Sequence, residues 1–235
     1  MQNLLIDILT LIASFLAVAI VLTLHEFSHA FVAYKCGDPT PKFAGRLTLN
    51  PLAHFDILGL VMFTLAGFGW AKPVPINAYN FRHYRRGLAL TALAGVVINY
   101  ISVLFFYPLN FIPVHTPWWA LDLFIRYFFW FLYSYSLAFC VFNLIPLPPL
   151  DGWRVVEATN KRRGKIFRFF QRYGNIFLLV MIGIHLLVEI TARYPSLAIA
   201  SRIFSYVDIL GYIMTYVTYY LGWPIFRLWE VILNA

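Results

Sequence analysis

Long apolar runs, separated by short polar, basic or proline-rich stretches, set the pattern of this chain. The first run extends from Leu4 to about Tyr34 with Asp7 as its only charge before Glu26, and Gly37-Asp38-Pro39 closes it, which predicts one long helix over residues 4–35. Residues 38–54, with Pro39, Pro41, Gly45, Asn50 and Pro51, are turn-rich and polar enough to leave a membrane. Residues 55–70 are apolar again but short, interrupted by Gly59, Gly67 and Gly69, with basic stretches on both sides. A simple crossing there puts one basic stretch on the far side, so a re-entrant or partly inserted segment is expected. Prolines at alternate positions in Ala71-Lys72-Pro73-Val74-Pro75-Ile76-Asn77 exclude a helix and predict an extended segment. Further spans are expected at 88–111, 121–144, 175–191 and 203–222, the last followed by an aromatic tail broken at Pro224.

This pattern predicts an all-α polytopic membrane protein with about five to six transmembrane helices and a short re-entrant or extended segment. We expect one integral membrane domain over 1–235, with a core over 4–155 and C-terminal helices over 175–235. Composition agrees: 61% of residues are hydrophobic and 12% charged, and mean hydropathy is +0.73, far from the soluble average. No basic segment or small-residue cleavage site precedes the first run, so it is not expected to be a removable signal peptide.

The net charge of +8 raises the question of nucleic acid, but 14 of the 18 Lys and Arg lie in 35–46, 72–86 and 154–172. Basic clusters at span ends are what positive-inside topology produces, and they suit anionic membrane lipids, so no nucleic-acid partner is expected. The loop at 112–120 has two prolines and no Lys or Arg, as an external loop should. The reading is therefore a multi-pass protein of the cell membrane, N-terminus outside, with the end of the first helix on the cytoplasmic side. Cys36 and Cys140 have no repeated spacing and read as unpaired thiols.

Chemistry is concentrated in Leu24-His25-Glu26-Phe27-Ser28-His29, an H-E-x-x-H motif inside the first apolar run. On a helix, His25 and His29 share a face one turn apart and can reach one metal ion, with Glu26 beside it, the geometry of a zinc hydrolase. Such groups are costly at membrane depth unless paired, and a metal and a water would pair them. Far downstream, Asn143-Leu144-Ile145-Pro146-Leu147-Pro148-Pro149-Leu150-Asp151-Gly152 breaks a helix and leaves Asp151 at the edge of an apolar segment. Asp151 is either the N-cap of a helix beginning near Gly152 or a third metal ligand. In 71–77, Pro73 and Pro75 blunt one edge while Val74 and Ile76 leave the other free, so the segment is either a docking edge for an extended peptide or a rigid loop. His54 reads as an interfacial group and His185 as a partnered helix-packing one.

Taken together, His25 to His29 and Asn143 to Gly152 resemble the site-2 protease family of intramembrane zinc metalloproteases, in the short form without a PDZ domain. Gly45-Arg46-Leu47-Thr48-Leu49-Asn50-Pro51 and Gly67-Phe68-Gly69-Trp70-Ala71-Lys72-Pro73-Val74-Pro75 reinforce the resemblance, which covers most of residues 20–155. It implies one Zn2+ per chain held by His25, His29 and Asp151, with Glu26 as general base and Asn143 helping to position the substrate backbone. A family segment reading Ala-Gly-Pro followed by Asn is here Ala94-Gly95-Val96 up to Asn99, so Asn99 is carried over as a weaker substrate contact. The implied activity is endoproteolysis within or next to transmembrane segments of protein substrates. Such a substrate must be unwound to free its carbonyls, and Val74 and Ile76 on the 71–77 edge are the expected partners. The alternatives are a membrane metal or proton transporter, which calls for polar groups through successive spans, and a catalytically silent relative. Oligomeric state is not legible.

Overall fold

The computed structural model describes residues 2–66 and 71–234. Gly67 to Trp70, the end of the expected re-entrant stretch, lie outside the described residues. The helices are α1 (Gln2–Cys36), α2 (Thr40–Phe43), α3 (Ile57–Ala66), α4 (Tyr84–Phe106), α5 (Trp119–Leu144), α6 (Asp151–Thr159), α7 (Lys165–Ala192), α8 (Ala198–Ser205) and α9 (Ile209–Asn234). The chain is an all-α membrane protein, and among the described residues the only β pairing is a single antiparallel bridge between Phe55 and Ala71.

Among the described residues, four helical segments are long and apolar enough to cross a membrane: α1, α4 with its continuation to Phe111, α5 and α7. The pair α8 and α9, bent by 80°, brings the total to five at most. At ten residues α3 is about 15 Å long, half the hydrocarbon thickness of about 30 Å, so it is too short to cross by itself.

The sequence expectation of a tail broken at Pro224 is corrected: α9 runs through it. Proline disturbs the carbonyls one turn back, and here the Tyr100 hydroxyl donates to the Leu221 carbonyl at 3.1 Å, giving that turn a partner from α4. The basic stretch 154–172 divides between α6, the loop that follows it and the first turns of α7.

α1 is central, packed against both α4 and α5. Its inner face is small, with Ala13, Ala17, Ala30 and Ala33 fully buried, while Ile8, Leu11, Ile12, Phe15 and Leu16 recur at helical spacing on an exposed face. Small residues let neighbouring backbones approach, and large apolar ones are stable facing lipid. Ala17 and Val21 pack with Leu132 of α5, and Ala33 packs with Phe81, Leu88 and Ala158. The latter cluster gathers the end of α1, the start of α4 and the end of α6, so the basic residues beside each of them collect at one end of the bundle.

Candidate metal centre

Helical periodicity places His25 and His29 on the same buried face of α1, 5% and 6% exposed. The third group arrives from far along the chain. α5 ends at Leu144, the chain turns through Pro146, Pro148 and Pro149, and α6 begins at Asp151 itself, with Leu150 at the N-cap position. Gly152 makes this approach possible, since a Cβ there would lie 2.4 Å from the Leu144 carbonyl oxygen. The Asp151 side chain is accordingly turned to the histidines and is not itself the cap.

His25 Nε2 and His29 Nε2 are 3.0 Å apart, and Asp151 Oδ2 lies 3.3 Å and 3.1 Å from them. A tetrahedral site with bonds of about 2.0–2.1 Å has edges of about 3.3 Å, so the three atoms already form close to one face of it. Asp151 Oδ2 is buried without a hydrogen-bond partner, and the donor set of two imidazoles and a carboxylate is one that zinc accepts. Burial opposes ionisation of Asp151, but His29 and His25 outweigh it and hold the carboxyl below the usual carboxylate range. The residues therefore fit a zinc ion.

α4 supports the histidines from behind. Thr91, Gly95 and Asn99, spaced four residues apart, form a stripe against the matching stripe of His25 and His29. The Thr91 carbonyl lies 2.7 Å from His29 Nδ1, and the amide nitrogen of Asn99 lies 3.1 Å from His25 Nδ1. At Gly95 a Cβ would come within 2.4 Å of His25 Cε1 and 2.5 Å of His29 Nε2, so no larger residue fits beneath the rings. The sequence singles out Gly95 and Asn99 only within the family segment, Asn99 as a weaker substrate contact, and gives Thr91 no role. Asn99 is fully buried with its amide against His25. The available signal was the four-residue repeat of polar and small residues in an otherwise apolar helix.

Glu26 is half-buried beside His25 and makes no hydrogen bond or ion pair among the described residues, which leaves its carboxylate open for proton transfer. Asn143, half-buried in the last turn of α5, donates to the Phe139 carbonyl at 3.1 Å and is not joined to His25, His29 or Asp151 by any hydrogen bond among the described residues.

The 71–77 segment is extended and, among the described residues, unpaired along most of its length. It is held at both ends. Near one end Lys72 N–H donates to the His54 carbonyl at 3.0 Å, and buried Arg46 donates to the carbonyls of Ala53 and Lys72. At the other, the Asn77 N–H donates to Asp38 at 2.7 Å; fully buried Asp38 also accepts from Thr40 and from Asn80. Ala71 packs against Val18 and Leu22, whereas Asn77 meets Asp38 beyond the end of α1. Six extended residues cover about 20 Å and α1 rises about 21 Å from Leu22 to its end at Cys36, so the segment runs past the level of His25 and His29. Val74 is buried and Ile76 packs on the Phe81 cluster, while the N–H groups of both have no partner among the described residues. His54 is fully buried with Nε2 2.8 Å from the Thr48 carbonyl, and His185 pairs with Asp208 at 2.9 Å between α7 and the start of α9.

Residues 113–188, which include Asp151 but not the H-E-x-x-H motif, match the model of peptidase family M50. YwhC of Bacillus subtilis, named "Putative zinc metalloprotease YwhC", is 40% identical over 182 residues, covering 74% of this chain and 78% of YwhC. Rip2 of Mycobacterium tuberculosis (strain H37Rv), which carries the same description, is 31% identical over 170 residues, covering 68% of this chain and 62% of Rip2. No solved structure matches the chain.

Proposed function

The chain belongs to peptidase family M50, the site-2 proteases, and on that premise we propose that His25, His29 and Asp151 hold its zinc ion and that Glu26 is its general base. It is a zinc-dependent intramembrane endopeptidase acting on membrane-embedded substrates. The observation that carries the assignment of residues is the triangle of His25 Nε2, His29 Nε2 and Asp151 Oδ2, with sides of 3.0–3.3 Å and a buried carboxylate oxygen that has no other partner.

When bound, zinc polarises the scissile carbonyl and makes water a competent nucleophile near neutral pH. Glu26 accepts the proton that the attacking water loses and delivers it to the leaving amine nitrogen as the peptide bond breaks. Its open carboxylate, next in sequence to His25, suits that exchange. The substrate is offered as an unwound strand to the N–H groups of Val74 and Ile76, which have no partner among the described residues and accompany α1 past the level of the histidines. Asn143, at the end of α5, takes a substrate carbonyl when its amide turns away from Phe139. The basic end of the bundle faces the cytoplasm of the cell membrane, and His25 and His29, about 9–15 Å of helix from Lys35, lie in the cytoplasmic half of the bilayer.

The test is proteolysis of single-span transmembrane peptides by the detergent-solubilised protein. We expect cleavage by wild type that chelation stops and added Zn2+ restores, and none by Glu26→Gln. Cleavage by Glu26→Gln at the wild-type rate would remove Glu26 from the mechanism.

A further inference from the structure

The two histidines are oriented by different kinds of group. His29 Nδ1 faces the Thr91 carbonyl at 2.7 Å, and a carbonyl can only accept, so the ring proton sits on Nδ1 and Nε2 is free. That arrangement is backbone-made, and no side-chain substitution at Thr91 removes it. His25 Nδ1 faces the side-chain amide of Asn99, which offers either a donor or an acceptor depending on how the amide is turned.

The structure records the donor orientation, with Nδ2 3.1 Å from His25 Nδ1 and Oδ1 buried without a partner. In this orientation Nδ1 accepts and the ring proton sits on Nε2, within 3.3 Å of the Asp151 oxygen and 3.0 Å of His29 Nε2. That tautomer cannot give Nε2 to a metal. A half-turn of the amide, which changes its shape very little, brings Oδ1 to Nδ1, moves the proton there and frees Nε2. Oδ1 has no hydrogen bond to lose in turning. Asn99 is 0% exposed, so water cannot substitute for it.

We propose that Asn99 is a positioning residue for the metal site: through Oδ1 it accepts the outer N–H of His25 and holds the tautomer whose Nε2 binds zinc. It acts on the ligand and not on the substrate. The proposal rests on the reading that His25, His29 and Asp151 are the metal ligands. Outer partners of ligating histidines fix tautomer and ring direction, and losing one costs about 10–100-fold in metal affinity.

The experiment is competition for Zn2+ between the full-length detergent-solubilised protein and a fluorescent chelator, for wild type, Asn99→Leu and Asn99→Asp. Leucine keeps the volume without an acceptor; aspartate keeps the shape and can only accept. We expect Asn99→Leu to bind Zn2+ about 10–100-fold more weakly and Asn99→Asp to stay within a few-fold of wild type, with the thermal unfolding of the metal-free forms showing that all three are folded. Wild-type affinity in Asn99→Leu, or equal loss in Asn99→Asp and Asn99→Leu, overturns the proposal and leaves the ligand set standing. Wild-type protein that holds no zinc overturns the ligand set, and this proposal falls with it.

Discussion

Replacing Gly95 with alanine tests how tightly α4 is fitted beneath His25 and His29, the proposed zinc ligands. The new methyl would lie 2.4 Å from His25 Cε1, 2.5 Å from His29 Nε2 and 2.7 Å from His25 Nδ1. Relative to ordinary contact at 3.4 Å or more, the shortest of these is about 1 Å too close, and neither ring can retreat freely because Thr91 and Asn99 stand at their outer nitrogens. Overpacking of a filled interior costs about 1–3 kcal/mol. Metal sites tolerate ligand shifts of only about 0.2 Å, so the strain is relieved by giving up ligand geometry. If all of it falls on zinc binding, affinity drops about 5- to 150-fold. Chelator competition measures the drop, with Gly183→Ala as control, since a Cβ at Gly183 in α7 meets nothing within 4 Å. That control should bind zinc as wild type does and gain about 1 kcal/mol of helix propensity. Wild-type zinc affinity in Gly95→Ala would refute the packing argument.

Two further outcomes follow from the segment beside α1. Val74→Pro removes an open N–H from the edge without touching a ligand, so it should reduce cleavage of single-span peptides at least about tenfold while zinc content stays unchanged; undiminished turnover would show that strand addition plays no part. Burial opposes the charge of Asp38, but hydrogen bonds from Thr40, Asn80 and the Asn77 N–H lower its pKa below the usual carboxylate value. Its contribution to stability is therefore fully present above about pH 4 and is lost as pH falls through the lower folded value. Thermal unfolding between about pH 3 and pH 7 should show that acid limb shrinking in Asp38→Ala, and an unchanged limb would place the acid sensitivity elsewhere.

What could be read from the chain alone was local. The spacing of His25 and His29 places both imidazoles on one helix face whatever surrounds them, and the apolar runs mark α1, α4 and α5 within a few residues. Asp151 was found only as one of two alternatives, because its turn toward the histidines depends on Gly152 letting α6 close on the end of α5. The register between α1 and α4 is a relation between two helices: the four-residue repeat of Thr91, Gly95 and Asn99 marks a face of α4 but does not say that this face meets the histidines, so Thr91 was given no role and Asn99 was carried over as a weaker substrate contact. The same holds for Asp38 and Arg46, which lie in the turn-rich stretch 38–54 and which the fold brings to opposite ends of the 72–77 edge. Pro224 misled for a similar reason: the hydroxyl that serves the disturbed turn of α9 belongs to Tyr100, far away in sequence.

The central claim, that His25, His29 and Asp151 hold one zinc ion while Glu26 remains free to move protons, is tested most directly by the zinc content of purified wild type, Asp151→Ala and Glu26→Gln. We predict one zinc per chain in wild type, its loss in Asp151→Ala and its retention in Glu26→Gln. Retention in Asp151→Ala, or loss in Glu26→Gln, would contradict the assignment.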